Sequence, residues 1–207
     1  ETNIMTVEDP VEFNLGGINQ VQVHESIDLT FASVLRSFLR QDPNIILVGE
    51  IRDNETADIA VKASLTGHLV LSTLHTNDAP STIIRLIDMG IDSYLVATSV
   101  ILIAAQRLVR RICPACKEAI AIPPKALLNI GFSEEEVDSV VIYKGKGCPK
   151  CNNTGYKGRV GLFEVMQISP TIRDMILSGA SVAEIRKQAI LEGMLTLRQS
   201  GLAKIRN

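Results

Sequence analysis

Two C-x-x-C pairs, Cys113-Pro-Ala-Cys116 and Cys148-Pro-Lys-Cys151, constrain this chain more than any other feature of its sequence. They stand 31 residues apart and use all four cysteines. Four thiolates in two such knuckles make a tetrahedral zinc site, because each knuckle delivers two sulfurs to adjacent corners of the tetrahedron. A fold containing that site must bring Cys113 and Cys151 together and loop out the segment between. With four cysteine ligands no coordination position stays open, so the zinc is structural. A redox pair would need only one C-x-x-C and a thioredoxin-like setting. Metal-ligand spacing, and no secretion signal ahead of the first strand-like segment, point to reducing cytosol.

A second constraint is Asp42-Pro-Asn-Ile-Ile-Leu-Val-Gly-Glu-Ile-Arg-Asp53. Ile45 to Val48 is a β-branched apolar run, the pattern of a strand buried on both faces of a parallel sheet. Gly49 breaks it and Glu50 follows. A carboxylate there lies where open α/β sheets bind ligands, outside the carboxyl ends of the strands, and in phosphate-handling enzymes it orients a magnesium shell or a water. The same residues would equally serve as the start of a surface loop, with Glu50 paired to Arg52.

The rest of the chain supplies a strand–helix alternation. Ile4 to Val7 reads as a core strand ending in three carboxylates, Glu8, Asp9 and Glu12, whose mutual repulsion calls for a cation or arginine unless Pro10 simply marks a solvated turn. The chain enters this segment without a cap or leader, as though an upstream part were removed. Ile18 to His24 alternates as a half-buried strand. Asp28 or Thr30 caps a helix to about Arg40 with Phe31, Val34, Leu35, Phe38 and Leu39 on its buried stripe. Arg36 and Arg40, at i and i+4, share a face suited to phosphate or carboxylate, or to plain solvation. Asn54 caps a helix to Leu65, and His68 to Leu74 reads as a buried strand bracketed by His68 and His75. Asn77 or Asp78 caps a third helix to Met89, and Ser93 to about Ile112 reads as one long helix with Arg107, Arg110 and Arg111 at its carboxyl end. Beyond Cys116 come a helix near Lys125 to Leu128, a helix signature at Ser133 to Glu136, a glycine-rich turn over Gly155 to Gly161 and a strand from Leu162 to Gln167. A capping box at Ser181 to Glu184 opens a helix to Leu191, and a last helix covers Thr196 to Ile205.

The fold class is therefore α/β, a parallel sheet flanked by helices with an inserted zinc module and a helical carboxy-terminal part. The expected divisions are residues 1–112, 113–151 and 152–207. Lys+Arg 21 against Asp+Glu 23 gives no basic field to recruit nucleic acid, and 4% aromatics give no row of stacking platforms, so no nucleic-acid partner is expected. The longest apolar stretch, Tyr94 to Ala105, is too short to span a bilayer.

Four of these segments, in order, resemble the motifs of the secretion ATPase superfamily, specifically the assembly ATPases of type IV pili and type II secretion. Glu8 to Glu12 is similar to its Asp box, Asn44 to Asp53 to its atypical Walker B and Gly67 to Thr76 to its His box. The four cysteines are similar to the zinc motif of the assembly branch. Glu164-Val-Met166 and Thr196-Leu-Arg198-Gln-Ser-Gly201 resemble the pilus member more than the secretion member. The resemblance implies a RecA-like core with Glu8 as general base, Asp9 beside it in the Asp box, Glu50 organising magnesium, His68 and His75 at the γ-phosphate, and Arg36 and Arg40 near phosphate or a subunit boundary. It implies ATP and Mg2+ as cofactors, a homo-hexamer, an inner-membrane platform protein as partner and a cytoplasmic location peripheral to that membrane. The family's Walker A loop is expected upstream of Glu1, so the chain is expected to be a carboxy-terminal fragment that cannot bind ATP tightly alone. The competing expectation is a zinc-stapled docking module without chemistry. A nucleic-acid motor on the same core is a weaker third, against the charge balance.

Overall fold

The computed structural model describes residues 2–206. The chain forms two compact units: the residues up to Ile103 joined by Met166–Ala189, and Ala104–Val165 joined by the chain from Ile190 on. This division differs from the three consecutive segments expected from the sequence, because the end of the chain returns to both units.

The first unit is built on four parallel strands in the order β2-β1-β3-β4. These are β1 (Ile4–Glu8), β2 (Asn19–Gln22), β3 (Ile45–Val48) and β4 (Leu69–Ser72). Ile46 and Val48 of β3 are fully buried, as the apolar run requires of an interior strand. Helix α1 (Phe31–Phe38) starts at Thr30, which exchanges capping bonds with Ser33, and buries Phe31, Val34, Leu35 and Phe38. Burying each of those side chains contributes about 2 kcal/mol, enough to hold a two-turn helix that would not persist alone. Helix α2 (Asn54–Leu65) is capped by Asp53, whose side chain accepts from Thr56 N. Asn54, the expected cap, instead donates to the carbonyl of Met89 at 2.7 Å. Helix α3 (Ala79–Asp88) is capped by Asp78, and α4 (Ser93–Ser99) by Asp92.

The expected long helix from Ser93 to Ile112 is replaced by α4 and then an eleven-residue strand, β5 (Leu102–Ile112). Val100 is already extended, and β5 pairs with β8 (Tyr156–Gln167). Strand pairing over that length outweighs a helical periodicity that Ile103, Val109 and Ile112, all β-branched, supported only weakly. Arg110 accordingly lies over the Tyr156 ring of β8, 4.2 Å from its centroid, and completes no helix dipole. Gly158 and Gly161, read as a turn, lie within β8. Helix α7 (Pro170–Leu177) follows β8 and packs on α4, where Arg173 Nε donates to Ala97 O at 2.9 Å and so satisfies an end carbonyl of α4. Helix α8 (Val182–Leu191) opens at the Ser181–Glu184 box.

In the second unit, β6 (Lys117–Ile120) pairs antiparallel with β7 (Ile142–Gly145), strands the sequence reading did not anticipate. Between them lie α5 (Pro124–Ile130) and α6 (Glu134–Val137). Helix α9 (Leu197–Arg206) places Arg198 Nη2 3.1 Å from Ile130 O, at the end of α5. Among the described residues no helix is long and apolar enough to cross a membrane. A methyl group on Gly145 would stand 2.0 Å from the carbonyl oxygen of Gly155, so the two backbones meet where only glycine fits. Gly145→Ala should cost about 3 kcal/mol. Urea unfolding of the purified chain checks this, and an unchanged midpoint would refute the close approach.

Candidate active site and metal centre

All four strands of the sheet run the same way, so their carboxyl ends lie along one edge. Two sets of bonds identify the edges. Asn44 N bonds to Asn3 O and Leu69 N to Asn44 O at the amino edge. At the carboxyl edge Gly49 N bonds to Val7 O at 2.8 Å and Ile51 N to Thr73 O at 3.0 Å, while Thr73 Oγ1 donates to Gly49 O at 2.6 Å. A Cβ on Gly49 would be 3.1 Å from Val7 O and 3.2 Å from Glu8 Cα, so glycine lets the end of β3 close against the end of β1. These bonds set the chain after β3 between Glu8 on one side and the Leu74–His75 segment on the other.

Glu50 occupies the centre. Its Oε1 is 2.6 Å from His75 Nε2 and its Oε2 accepts from Arg52 Nε at 2.7 Å. The Glu50 side chain is 16% exposed, the His75 side chain 89%. Arg52 also reaches Asp9, with Nη1 3.4 Å from Oδ2, and its hydrogen bond to Glu50, with the charges of Glu50 and Asp9, holds the guanidinium pKa above its usual value. Thus Glu50 pairs with Arg52, as the loop alternative of the sequence has it, and bonds His75 as well. Glu50, Ile51, Arg52, Leu74, His75 and Arg85 line a cleft of about 450 Å³.

Glu8 stands on the adjacent strand end and turns the other way. Its Oε1 accepts from Thr6 Oγ1 at 2.6 Å and from Gln20 Nε2 at 3.0 Å. The Thr6 bond foremost, then the Gln20 bond, outweigh desolvation and hold Glu8 below the usual carboxylate range.

Three expected residues lie elsewhere. His68 precedes β4 at the amino edge, where its Nδ1 donates to Ala63 O at 2.9 Å and terminates α2. Arg36 pairs with Glu55 of α2, and Arg40 Nη2 is 3.4 Å from Ser37 Oγ; neither has a partner in the Glu50 cluster among the bonds found. The sequence reading gave no site role to Thr6, Gln20, Thr73 or Arg85. Thr6 carried a usable signal: a polar residue two places before Glu8 on a strand shares its face. Arg85 carried none, since an arginine in the last turn of a helix looks like dipole compensation.

The cysteines converge in the second unit. Cys113 Sγ is 4.0 Å from Cys148 Sγ, Cys116 Sγ is 3.9 Å from Cys151 Sγ, and Cys148 and Cys151 sulfurs are 3.8 Å apart. All four sulfurs lie within 4.8 Å of one another. Those separations exclude disulfides, whose sulfurs lie about 2.05 Å apart. They match a tetrahedron around an ion with metal–sulfur bonds of about 2.3 Å, whose corners are about 3.8 Å apart. Main-chain N–H groups of Cys148 and Gly155 donate to Cys151 Sγ, each at 3.3 Å. Burial opposes ionisation of that thiol, but these bonds outweigh it and draw its pKa down to about 6. The four residues could hold a metal ion, and every donor atom is a cysteine sulfur.

Comparison with known proteins fits this arrangement. The chain is 56% identical over 206 residues to the type IV pilus assembly ATPase PilB of Myxococcus xanthus, covering 99% of this chain and 36% of that protein. To the type II secretion system ATPase E of Vibrio cholerae it is 47% identical over 206 residues, covering 100% of this chain and 40% of that protein. A crystal structure of the pilus retraction motor PilT with bound ADP superposes with a TM-score of 0.57 at 26% identity, over 96% of this chain and 51% of that one. The family model described as Type II/IV secretion system protein matches residues 1–207, and the chain belongs to that family.

Proposed function

We propose that this chain is the carboxy-terminal part of an ATP-hydrolysing motor that powers type IV pilus assembly or type II secretion. The observation that carries the reading is the convergence of Glu50, His75, Arg52 and Asp9 at the carboxyl edge of a parallel sheet, around a cleft. Family membership supports it, and the relatives named above are assembly and secretion ATPases.

In this reading ATP is hydrolysed by in-line attack of water on the γ-phosphorus. A new P–O bond forms, the bond to the bridging oxygen of ADP breaks, and Glu8 accepts the proton of the attacking water. Thr6 and Gln20 hold the Glu8 carboxylate in place for that purpose. Magnesium, when bound, neutralises charge on the phosphate oxygens. Glu50 would hold its water shell: each carboxylate oxygen has a second lone pair beyond those used by His75 and Arg52. His75, exposed and fixed by Glu50, presents the other side of its ring to the cleft and contacts the γ-phosphate. Asp9 keeps Arg52 in place. Arg36, on the exposed side of α1, and Arg40, exposed just past its end, serve a neighbouring subunit of a homo-hexamer, with His68 acting on the site only through the end of α2. The cysteines hold one structural Zn2+, the ion whose preference is four thiolates in a tetrahedron. The motor works in the cytoplasm, peripheral to the inner membrane, against a platform protein there.

Magnesium-dependent ATP hydrolysis tests the reading, with this chain compared with a longer protein that extends upstream by about one domain. The longer protein should turn over ATP, and Glu8→Gln or Glu50→Gln should reduce kcat about a hundredfold or more. An inert longer protein would leave the zinc-stapled docking module as the better account. Metal analysis should find about one zinc per chain, with chelation loosening Cys113 to Cys151. Less than half an equivalent with intact thiols would refute the zinc assignment.

A further inference from the structure

We infer that Arg186 is a positioning residue for the cleft, fixing through Asp78 the segment that carries His75 to Glu50. The inference rests on the hydrolytic reading of that cleft. With its side chain 89% exposed, His75 is not held by packing. Its place is set by Glu50 and by the backbone that leads from it into α3. That backbone is tied down twice. Thr76 Oγ1 lies 2.9 Å from Thr82 Oγ1, and Asp78 Oδ1 accepts from Ser81 N at 2.9 Å and Ser81 Oγ at 2.6 Å. The second Asp78 oxygen accepts from Arg186 Nη2 at 2.6 Å, across 108 residues of sequence.

This pair is part-buried, with side chains 39% and 22% exposed, so solvent screens it less than a surface pair. Burial by itself would raise the Asp78 pKa, but the Ser81 bonds and the Arg186 charge hold it below its ordinary value. Arg186 reaches out from a fixed support, since its neighbours Ile185 and Ala189 on α8 are buried. Asp78 would still cap α3 without Arg186, because the Ser81 bonds are separate. What the pair adds is a fixed position for the start of α3 against α8. Both His75, just before α3, and Arg85, within α3 and lining the cleft, depend on that position. Displacing a reacting group by about 1 Å can cost a hundredfold in rate.

Kinetics of the longer protein test this. Arg186→Gln should lower kcat about tenfold with the KM for ATP within about twofold, and Arg186→Lys should recover to within about threefold of the parent. The exposed neighbour Lys187→Gln should change nothing. Asp78→Asn keeps a good cap and removes the charge; it should lower kcat as Arg186→Gln does, and the double variant should be no worse than either single one. A second readout needs no turnover. In this chain the His75 ring resonances, assigned by replacing His24 and His68, should shift in Arg186→Gln and Asp78→Asn and stay put in Lys187→Gln. If Arg186→Gln does not fold, Arg186→Lys and Asp78→Asn carry both tests. Unchanged His75 resonances overturn the inference, as does a lowered melting temperature with kcat per folded molecule intact. A longer protein without any ATPase activity would refute the hydrolytic reading, and the resonances would still decide the coupling.

Discussion

The Glu50 carboxylate sets the terms for the first unit. Placed 16% exposed at the end of an interior strand, it must be matched by opposite charge or by donors, and it receives one partner on each oxygen. Those partners come from different segments: Arg52 follows Glu50 itself, and His75 follows the neighbouring strand. Their meeting requires the β3 and β4 ends to be in register, which the Gly49, Ile51 and Thr73 backbone bonds secure. It also requires the β1 end to close in, which Gly49 permits. The same bonds that organise the sheet edge therefore bring Glu50, Arg52 and His75 together at the cleft, with Asp9 behind Arg52 and Glu8 turned to Thr6 on the next strand end.

The second unit obeys a different constraint. Its buried apolar material is modest: outside the cysteines, the buried apolar side chains among the described residues are Leu127, Phe132 and Met194. Four sulfurs gather here at metal-binding spacing, and two backbones meet closely at Gly145 and Gly155. The buried carboxylate of Glu164 accepts from Leu197 N at 3.1 Å and so begins α9.

Local chemistry made much of this legible in advance. The apolar run before Gly49, the stripe from Phe31 to Phe38 and the doubled C-x-x-C each have one cheap solution, and each was recognisable. What failed depended on partners far away in sequence. Ser93 to Ile112 carried enough helical periodicity to read as a helix, because nothing near it reveals that β8 will pair with it. His68 and His75 looked equivalent on either side of one strand. Strand direction separates them, since one lies at the amino edge and bonds α2 while the other lies at the carboxyl edge and bonds Glu50. Arg186 and Asp78, 108 residues apart, had no local signature at all.

The measurement that bears most directly on this account is a crystal structure of the longer protein with magnesium and a non-hydrolysable ATP analogue. The account predicts the γ-phosphate within hydrogen-bond reach of His75, about 3 Å, with the magnesium water shell on Glu50 and Glu8 facing the attacking side. A nucleotide bound away from the carboxyl edge of β3, with Glu50 still closed on Arg52 and His75, would contradict it.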